Sequence, residues 1–263
     1  MKLEIVDKTP EKIKFIISGV KPCFVNALRR ELISDIPLFA VDYVIVYENS
    51  SVLFDEIIAH RLGMVPLKTA RGNYLSPSEC CEEGCEKCSV TLSLSKEGPC
   101  VIYSGDLLSD DPDIVPVYEN IPIVKLGENQ NLKLNAIARL GVAKDHSKWQ
   151  ACLAAYKFKP KITIDRKLCD LEGDCVKECP TNVFKMTKEK IVVENLLDCT
   201  LCRTCEEVCE LGAIKVEHEK DSFIFNVESY GNLDMDELLK DAIELISEKC
   251  DVVINHFKKT KGS

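Results

Sequence analysis

The chain has 263 residues with 34 Lys and Arg against 43 Asp and Glu, a formal net charge of −9, so its surface as a whole repels phosphate backbones and direct nucleic-acid contact is not expected of it. Hydrophobic residues at 46% and charged residues at 29% are the proportions of an ordinary soluble protein with room for two or three domains. The most apolar stretch, residues 36–47, carries Asp42 and is too short for a bilayer, and fifteen cysteines without an N-terminal signal sequence point to a reducing cytoplasm, where thiolates serve as metal ligands.

Leu3 and Ile5 alternate with charges, Pro10 turns the chain, and Ile13, Phe15 and Ile17 alternate again up to Gly19. Period-two patterning on both sides of a turn predicts a β-hairpin. Pro22 then opens a helix through PCFVNALRRELISDI, with Phe24, Ala27, Leu28 and Leu32 on one side, and Pro37 closes it. A strand is expected over 41–47, and a second helix from about 53 to 62 with Gly63 as its stop and Pro66 beyond. The middle of the chain reads as β-rich. Near the far end, SFIFNVESYG alternates as a strand, and Asp234 with Glu237 makes a capping box for a helix running to about Phe257. On that helix Leu238, Leu239, Ala242, Leu245 and Ile246 form an apolar stripe, continued by Val253 and Phe257.

Strands and helices at each end, around a β-rich middle and a cysteine module, predict an α+β chain whose ends fold together with the middle inserted between them. The terminal segments total only about 80 residues, which makes a marginal core. A partner over the apolar helix faces and burial of both stripes within the monomer are the two alternatives.

Seven cysteines crowd residues 169–209. CTLCRTCEEVCE places Cys199, Cys202, Cys205 and Cys209 at C-x2-C-x2-C-x3-C. CDLEGDCVKECP places Cys169, Cys175 and Cys179 in the same frame, with Glu172 where the second cysteine would stand. Thiolates at these intervals wrap one face of an iron–sulfur cube, and the fourth cysteine of each run reaches across to the other cluster. A 4Fe-4S cluster then has the full set Cys179, Cys199, Cys202 and Cys205. A second, 3Fe-4S or 4Fe-4S, has Cys169, Cys175 and Cys209 with Glu172 at the open corner. The competing reading is zinc or disulfides. Zinc usually takes its four ligands from two separated pairs, and a run of four with a Pro-flanked run about twenty residues upstream suits a cube better. For the three-cysteine set a disulfide between Cys169 and Cys175, free thiols, and Glu172 as a solvated loop residue stay open.

The run FVNALRRELISDIPLFAVDYVIVYENSSVLFDEIIAHRLGMVPL resembles the signature of the α-like subunits of cellular RNA polymerases, among them the archaeal D-type subunits. DIVPVYENIPIVKLGENQNLKLNAIARLGVAKDHSKW, the embedded ferredoxin-like cysteines and FNVESYGNLDMDELLKDAIELI extend the likeness over nearly the whole chain. The resemblance implies a dimerisation domain from residues 1–41 and 222–263, an inserted β-rich domain over 42–160 and a ferredoxin-like iron–sulfur domain over 161–221. It also implies a heterodimer with the smaller α-like subunit, called L in archaea, as the platform for polymerase assembly. In that family a loop corresponding to CCEEGCEKC carries cysteines able to hold zinc. Here they are Cys80, Cys81, Cys85 and Cys88, and the adjacency of Cys80 and Cys81 leaves zinc, free thiols and a disulfide all open.

Other chemistry is thin. DEIIAHRL lacks the zinc-protease pattern around His60, and His146 has no nucleophile near it in sequence. No glycine-rich phosphate loop and no polymerase aspartate motif is present, so no catalytic residue is assigned. Two functions remain, an assembly scaffold and an electron-transfer subunit of a redox enzyme. The absence of flavin or nicotinamide motifs favours the scaffold.

Overall fold

The computed structural model of the chain describes residues 1–69, 74 and 87–260. In chain order its elements are β1 (Lys2–Lys8), β2 (Lys12–Ser18), α1 (Pro22–Ser34), β3 (Leu38–Asn49), α2 (Asp55–Gly63), β4 (Ser89–Glu97), β5 (Cys100–Tyr103), β6 (Leu108–Ser109), β7 (Pro122–Leu126), β8 (Asn131–Gly141), β9 (Cys152–Ile164), α3 (Asp174–Lys177), β10 (Phe184–Met186), β11 (Ile191–Val193), α4 (Thr204–Glu207), β12 (Ile214–Ser229) and α5 (Met235–Thr260). The architecture is mixed, with helices set between the strands along the chain. The chain divides into two compact units. One comprises Met1–Thr9, Ile13–Asn26 and Ala155–Val227; the other comprises Pro10–Lys12, Ala27–Ala154 and Glu228–Ser263.

In the first unit the N-terminal hairpin forms, with β1 antiparallel to β2 from Lys2 opposite Ser18 to Lys8 opposite Ile13. The sheet continues in the order β1-β2-β12-β9. Along β12 the alternation read into SFIFNVESYG is corrected: Ser222, Phe223, Ile224 and Phe225 are buried in succession, so both faces are covered there. A strand covered on both faces carries a continuous apolar run rather than a period of two. Phe15 of β2 stacks on Phe225 with ring centres 5.2 Å apart, and Tyr156 and Phe158 of β9 pack on Phe223. Aromatic pairs across neighbouring strands thus hold the sheet. Positions 160/161 and 221/222, expected as domain borders, lie inside β9 and β12, so the cysteine segments grow out of the same strands.

In the second unit β3 is longer than the expected strand. Its partner β8 extends from Gly141 opposite Leu38 to Leu132 opposite Asn49. The sheet order is β3-β8-β4-β6, with β5 and β7 paired separately. Ile58 and Leu62 of α2 join Leu92, Leu134, Ala136 and Ile102 in one core. Each of the larger side chains there contributes about 1.5–3 kcal/mol over leaving it exposed. Asp55 and Glu56 start α2 and His60 and Arg61 end it, the charge order that complements a helix dipole. Gly63 is its last helical residue and Met64 follows in right-handed conformation. The glycine stop is therefore not what ends the helix. Arg61 donates to the carbonyl of Ile123 at 2.6 Å near that end.

Along α1, Val25, Leu28 and Leu32 are buried while Phe24 and Ala27 are half-buried, so the apolar stripe is turned from the expected side. On α5, Met235, Leu238 and Ala242 are buried, whereas Ile243, Val252, Val253, Ile254 and Phe257 are exposed. Lys249 bonds Glu31 at 2.6 Å and also pairs with Asp35. Burial opposes ionisation of Asp35, yet hydrogen bonds from Lys249 and Ser34 outweigh it and hold the carboxyl below its ordinary value. No described helix is long and apolar enough to cross a membrane.

At the end of β8, a Cβ on Gly141 would stand 2.4 Å from the Trp149 ring. That indole is pinned: its Nε1 donates to the Arg139 carbonyl at 3.1 Å, and the Lys148 ammonium lies 4.3 Å from the ring centre while pairing with Asp42 at 2.5 Å. Gly141→Ala is expected to cost about 1–3 kcal/mol through overpacking, seen as a lower urea midpoint. An unchanged midpoint would show that the indole moves freely.

Candidate functional site

The two cysteine runs repeat one backbone conformation thirty residues apart. Left-handed residues pair as Leu171 with Leu201 (φ 66° and 62°), Gly173 with Arg203 (85° and 65°) and Asn182 with Gly212 (50° and 62°). Each run carries a one-turn helix, α3 or α4, that buries Cys175 or Cys205. The Val183 N–H donates to Cys179 Sγ at 3.4 Å and the Ala213 N–H to Cys209 Sγ at 3.3 Å, again in matching positions. A left-handed conformation costs an ordinary side chain roughly 1–2 kcal/mol. Leu171, Asn182, Leu201 and Arg203 all adopt it within one short stretch, and such concentrated strain is characteristic of segments shaped around a site. In this frame Glu172 matches Cys202, and both are exposed.

Cys199, Cys179 and Cys202 lie around Cys205. Burial, and then the negative charge of those three neighbours, pushes the Cys205 thiol up to about 11. Burial and the charges of Cys169 and Cys209 raise Cys175 in the same way. Glu172 lines one small cleft with Cys169, Cys175 and Cys209. The Cys202 thiol is held below its ordinary value by a hydrogen bond from the Thr204 hydroxyl at 3.5 Å, and the Leu201 N–H donates to Cys199 Sγ at 3.4 Å. Donors aimed at sulfur favour the thiolate, the form that binds metal. Among the described residues no three His, Cys, Asp or Glu side chains converge as ligands of a single ion. A cube makes a different demand, because each thiolate binds its own iron. Four sulfurs on one side, and three with a carboxylate on the other, fit the donor number and chemistry of one complete and one incomplete cluster.

The support beneath these loops could not be read from spacing. Lys157 of β9 donates to the carbonyl of Cys199 at 2.9 Å, and Lys14 of β2 pairs with Asp198 at 3.3 Å. These partners are 42 and 184 residues apart, beyond any local pattern. Cys80, Cys81 and Cys85 lie outside the described residues, and Cys88 is buried just before β4. Cys152 is buried, and burial pushes its thiol pKa up to about 12. Cys23 and Cys250 are exposed. His146 accepts the Lys148 N–H at 3.1 Å and shares with His60, Tyr118 and Tyr230 a cleft of ≈ 530 Å³ that sequence reasoning missed.

Residues 44–165 match the RNA polymerase Rpb3/RpoA insert domain, which puts the chain in the class of α-like polymerase subunits. The match takes in the second half of β3, then α2 and all of β4 to β9. The chain is 43% identical to DNA-directed RNA polymerase subunit Rpo3 of Methanosphaera stadtmanae, over 97% of this chain and 98% of that one. The Rpo3 proteins of Methanosarcina acetivorans (42%, with 97% of each chain covered) and Archaeoglobus fulgidus (43%, 95% of each) are similar over the same span. The chain belongs to the Rpo3 family of DNA-directed RNA polymerase subunits. The D-type designation, taken from the resemblance, is corrected by these relatives, which are named Rpo3. As a member of that polymerase, the chain has other polymerase subunits as its partners.

Glu206, next to Cys205, accepts the backbone N–H of Val216 at 2.8 Å and so ties α4 to the start of β12. Val216 is buried, so Glu206→Ala is expected to cost about 1–3 kcal/mol by leaving that N–H unpaired. Amide exchange at Val216 should accelerate accordingly; unchanged protection there would mean that burial alone, not the carboxylate, shields the N–H.

Proposed function

We propose that this chain is a non-catalytic scaffold subunit that pairs with a smaller α-like subunit, of the kind called L in archaea, to form the platform on which the polymerase assembles in the cytoplasm. The exposed apolar stripe of α5 carries this reading. Val252 is 70% and Phe257 64% exposed, and contiguous apolar surface of this kind marks a face that another chain covers. In this reading residues 1–41 and 222–263 form the dimerisation domain, 42–160 the inserted domain and 161–221 the ferredoxin-like domain. Its net charge of −9 leaves contact with nucleic acid to other subunits.

In the same reading Cys179, Cys199, Cys202 and Cys205 hold a 4Fe-4S cluster. Cys169, Cys175 and Cys209 hold a second, 3Fe-4S or 4Fe-4S, with Glu172 at its open corner. Bound clusters would supply thiolate–iron bonds that cross-link the module. The small core supports the need for them: Val183, Phe184, Ile191, Ile214 and Val216 are its buried members besides cysteines, too few apolar groups for a stable core unaided. Cys80, Cys81, Cys85 and Cys88 are proposed as a structural zinc set, to be checked by zinc content before and after their replacement by Ser. An electron-transfer role finds no support outside the module, where the relatives are polymerase subunits.

Val253→Glu is expected to weaken pairing with the small α-like subunit by about tenfold or more while leaving iron content unchanged. Wild-type chain that stays monomeric and shows no affinity for that subunit would overturn the scaffold reading. Cys202→Ser should lower bound iron and speed hydrogen exchange over 161–220 without abolishing pairing. Protection that is indifferent to iron would overturn the structural role of the clusters. Glu172→Cys should raise iron towards about eight per chain and suppress any three-iron signal in electron paramagnetic resonance. In protein holding two clusters, an unchanged iron count and spectrum would remove Glu172 from the open corner.

A further inference from the structure

The complete cysteine set differs from the incomplete one in how its first ligand is held. Cys199 follows a single 3-10 turn, Leu196–Asp198, and that turn is gripped from two strands. Lys14 on β2 pairs with the Asp198 carboxylate at 3.3 Å, and Lys157 on β9 donates to the Cys199 carbonyl at 2.9 Å. In the sheet β12 separates β2 from β9, so the two lysines clamp the turn across the central strand. Lys14 is 27% and Asp198 54% exposed at the side chain, so that pair is partly screened by solvent, whereas Lys157 is half-buried and its charge is screened less. Thirty residues earlier the matching pair is Leu168 and Cys169. Leu168 is exposed and bears no charge for a lysine to hold.

We infer that Lys157, with Asp198 and Lys14, positions Cys199 and electrostatically tunes the metal centre of the four-cysteine set. This deepens the proposed function and rests on its reading that Cys179, Cys199, Cys202 and Cys205 bind a cluster. Lys157 touches the ligand residue's backbone and not the metal, so it is a positioning residue. Two consequences follow from its charge and its hydrogen bond. Loss of the hydrogen bond frees the turn and weakens retention of Cys199 as a ligand. A positive charge beside a cluster stabilises the reduced, more negative state and raises the reduction potential, and a negative charge lowers it.

The test uses the full-length chain purified anaerobically, with iron counted during exposure to air and the midpoint potential followed by electron paramagnetic resonance. Lys157→Met should lose iron about tenfold faster, in the range typical of outer-shell partners, and shift the potential down. Asp198→Asn should also lose iron faster, because Lys14 lets go, yet shift the potential up. Lys157→Arg should stay close to wild type in both. Opposite potential shifts at equal loosening are what a merely structural role would not produce. Unchanged retention and potential in Lys157→Met, or shifts of the same sign in Lys157→Met and Asp198→Asn, would overturn the inference while leaving the cluster reading standing. If Lys157→Met does not fold, the Arg and Asn variants decide. Wild-type chain without iron would overturn the cluster reading itself, and this inference with it.

Discussion

The pairing of β12 with a neighbour on each edge is the constraint on which the first unit depends. Its sixteen residues run from the last cysteine segment to the terminal sheet, with β2 on one side and β9 on the other. Gly19 at the end of the hairpin donates to the Asp221 carbonyl at 2.8 Å, and Asp165 just beyond β9 donates to the Ala213 carbonyl at 2.8 Å. The start of the strand is thus fixed beside the cysteine loops and its middle beside the N-terminal hairpin. A disturbance at the loops therefore meets a stiff, doubly paired strand, because burial on both faces leaves Phe223 and Phe225 no room to repack.

The cysteine module sits at the other extreme. Its thiols are drawn together where burial and mutual repulsion resist ionisation, as the upward shifts at Cys175 and Cys205 show. Its backbone holds side chains in left-handed conformations that ordinary residues avoid. Against these costs stand a handful of apolar contacts and N–H donors aimed at sulfur. Such a balance makes sense when a group of opposite charge sits among the sulfurs, since positive metal reverses the repulsion that burial alone would punish.

The second unit distributes its apolar surface differently. Its core is closed by the sheet and α2, yet Tyr43, Ile45 and Tyr47 alternate outward along β3 and remain exposed, as does the far half of α5. β3 is an edge strand, and an exposed apolar edge is a liability in a solitary protein. Within an assembly of polymerase subunits such surface is what partners cover.

Local periodicity and spacing were enough for the hairpin at Leu3 to Ile17, the helices near Pro22 and Met235, and the frame of the two cysteine runs. Those features are set by neighbours a few residues apart: a turn at Pro10, a helix start at Pro22, an interval of two or three residues between thiols. The grouping of Cys179 with Cys199, Cys202 and Cys205 was legible too, from the ferredoxin-like spacing, and the tertiary structure brings those thiols around one another. Only the tertiary structure decided that Ser222 to Phe225 are buried without alternation, because burial of a strand's second face depends on elements distant in sequence. The same holds for α1, whose stripe follows Val25 rather than Phe24, and for α2, which ends without a glycine cap. The grip of Lys14 and Lys157 on the turn before Cys199 lies furthest from view in the sequence. A lysine's partner is chosen by where strand pairing delivers its ammonium, and Lys14 meets Asp198 from 184 positions away.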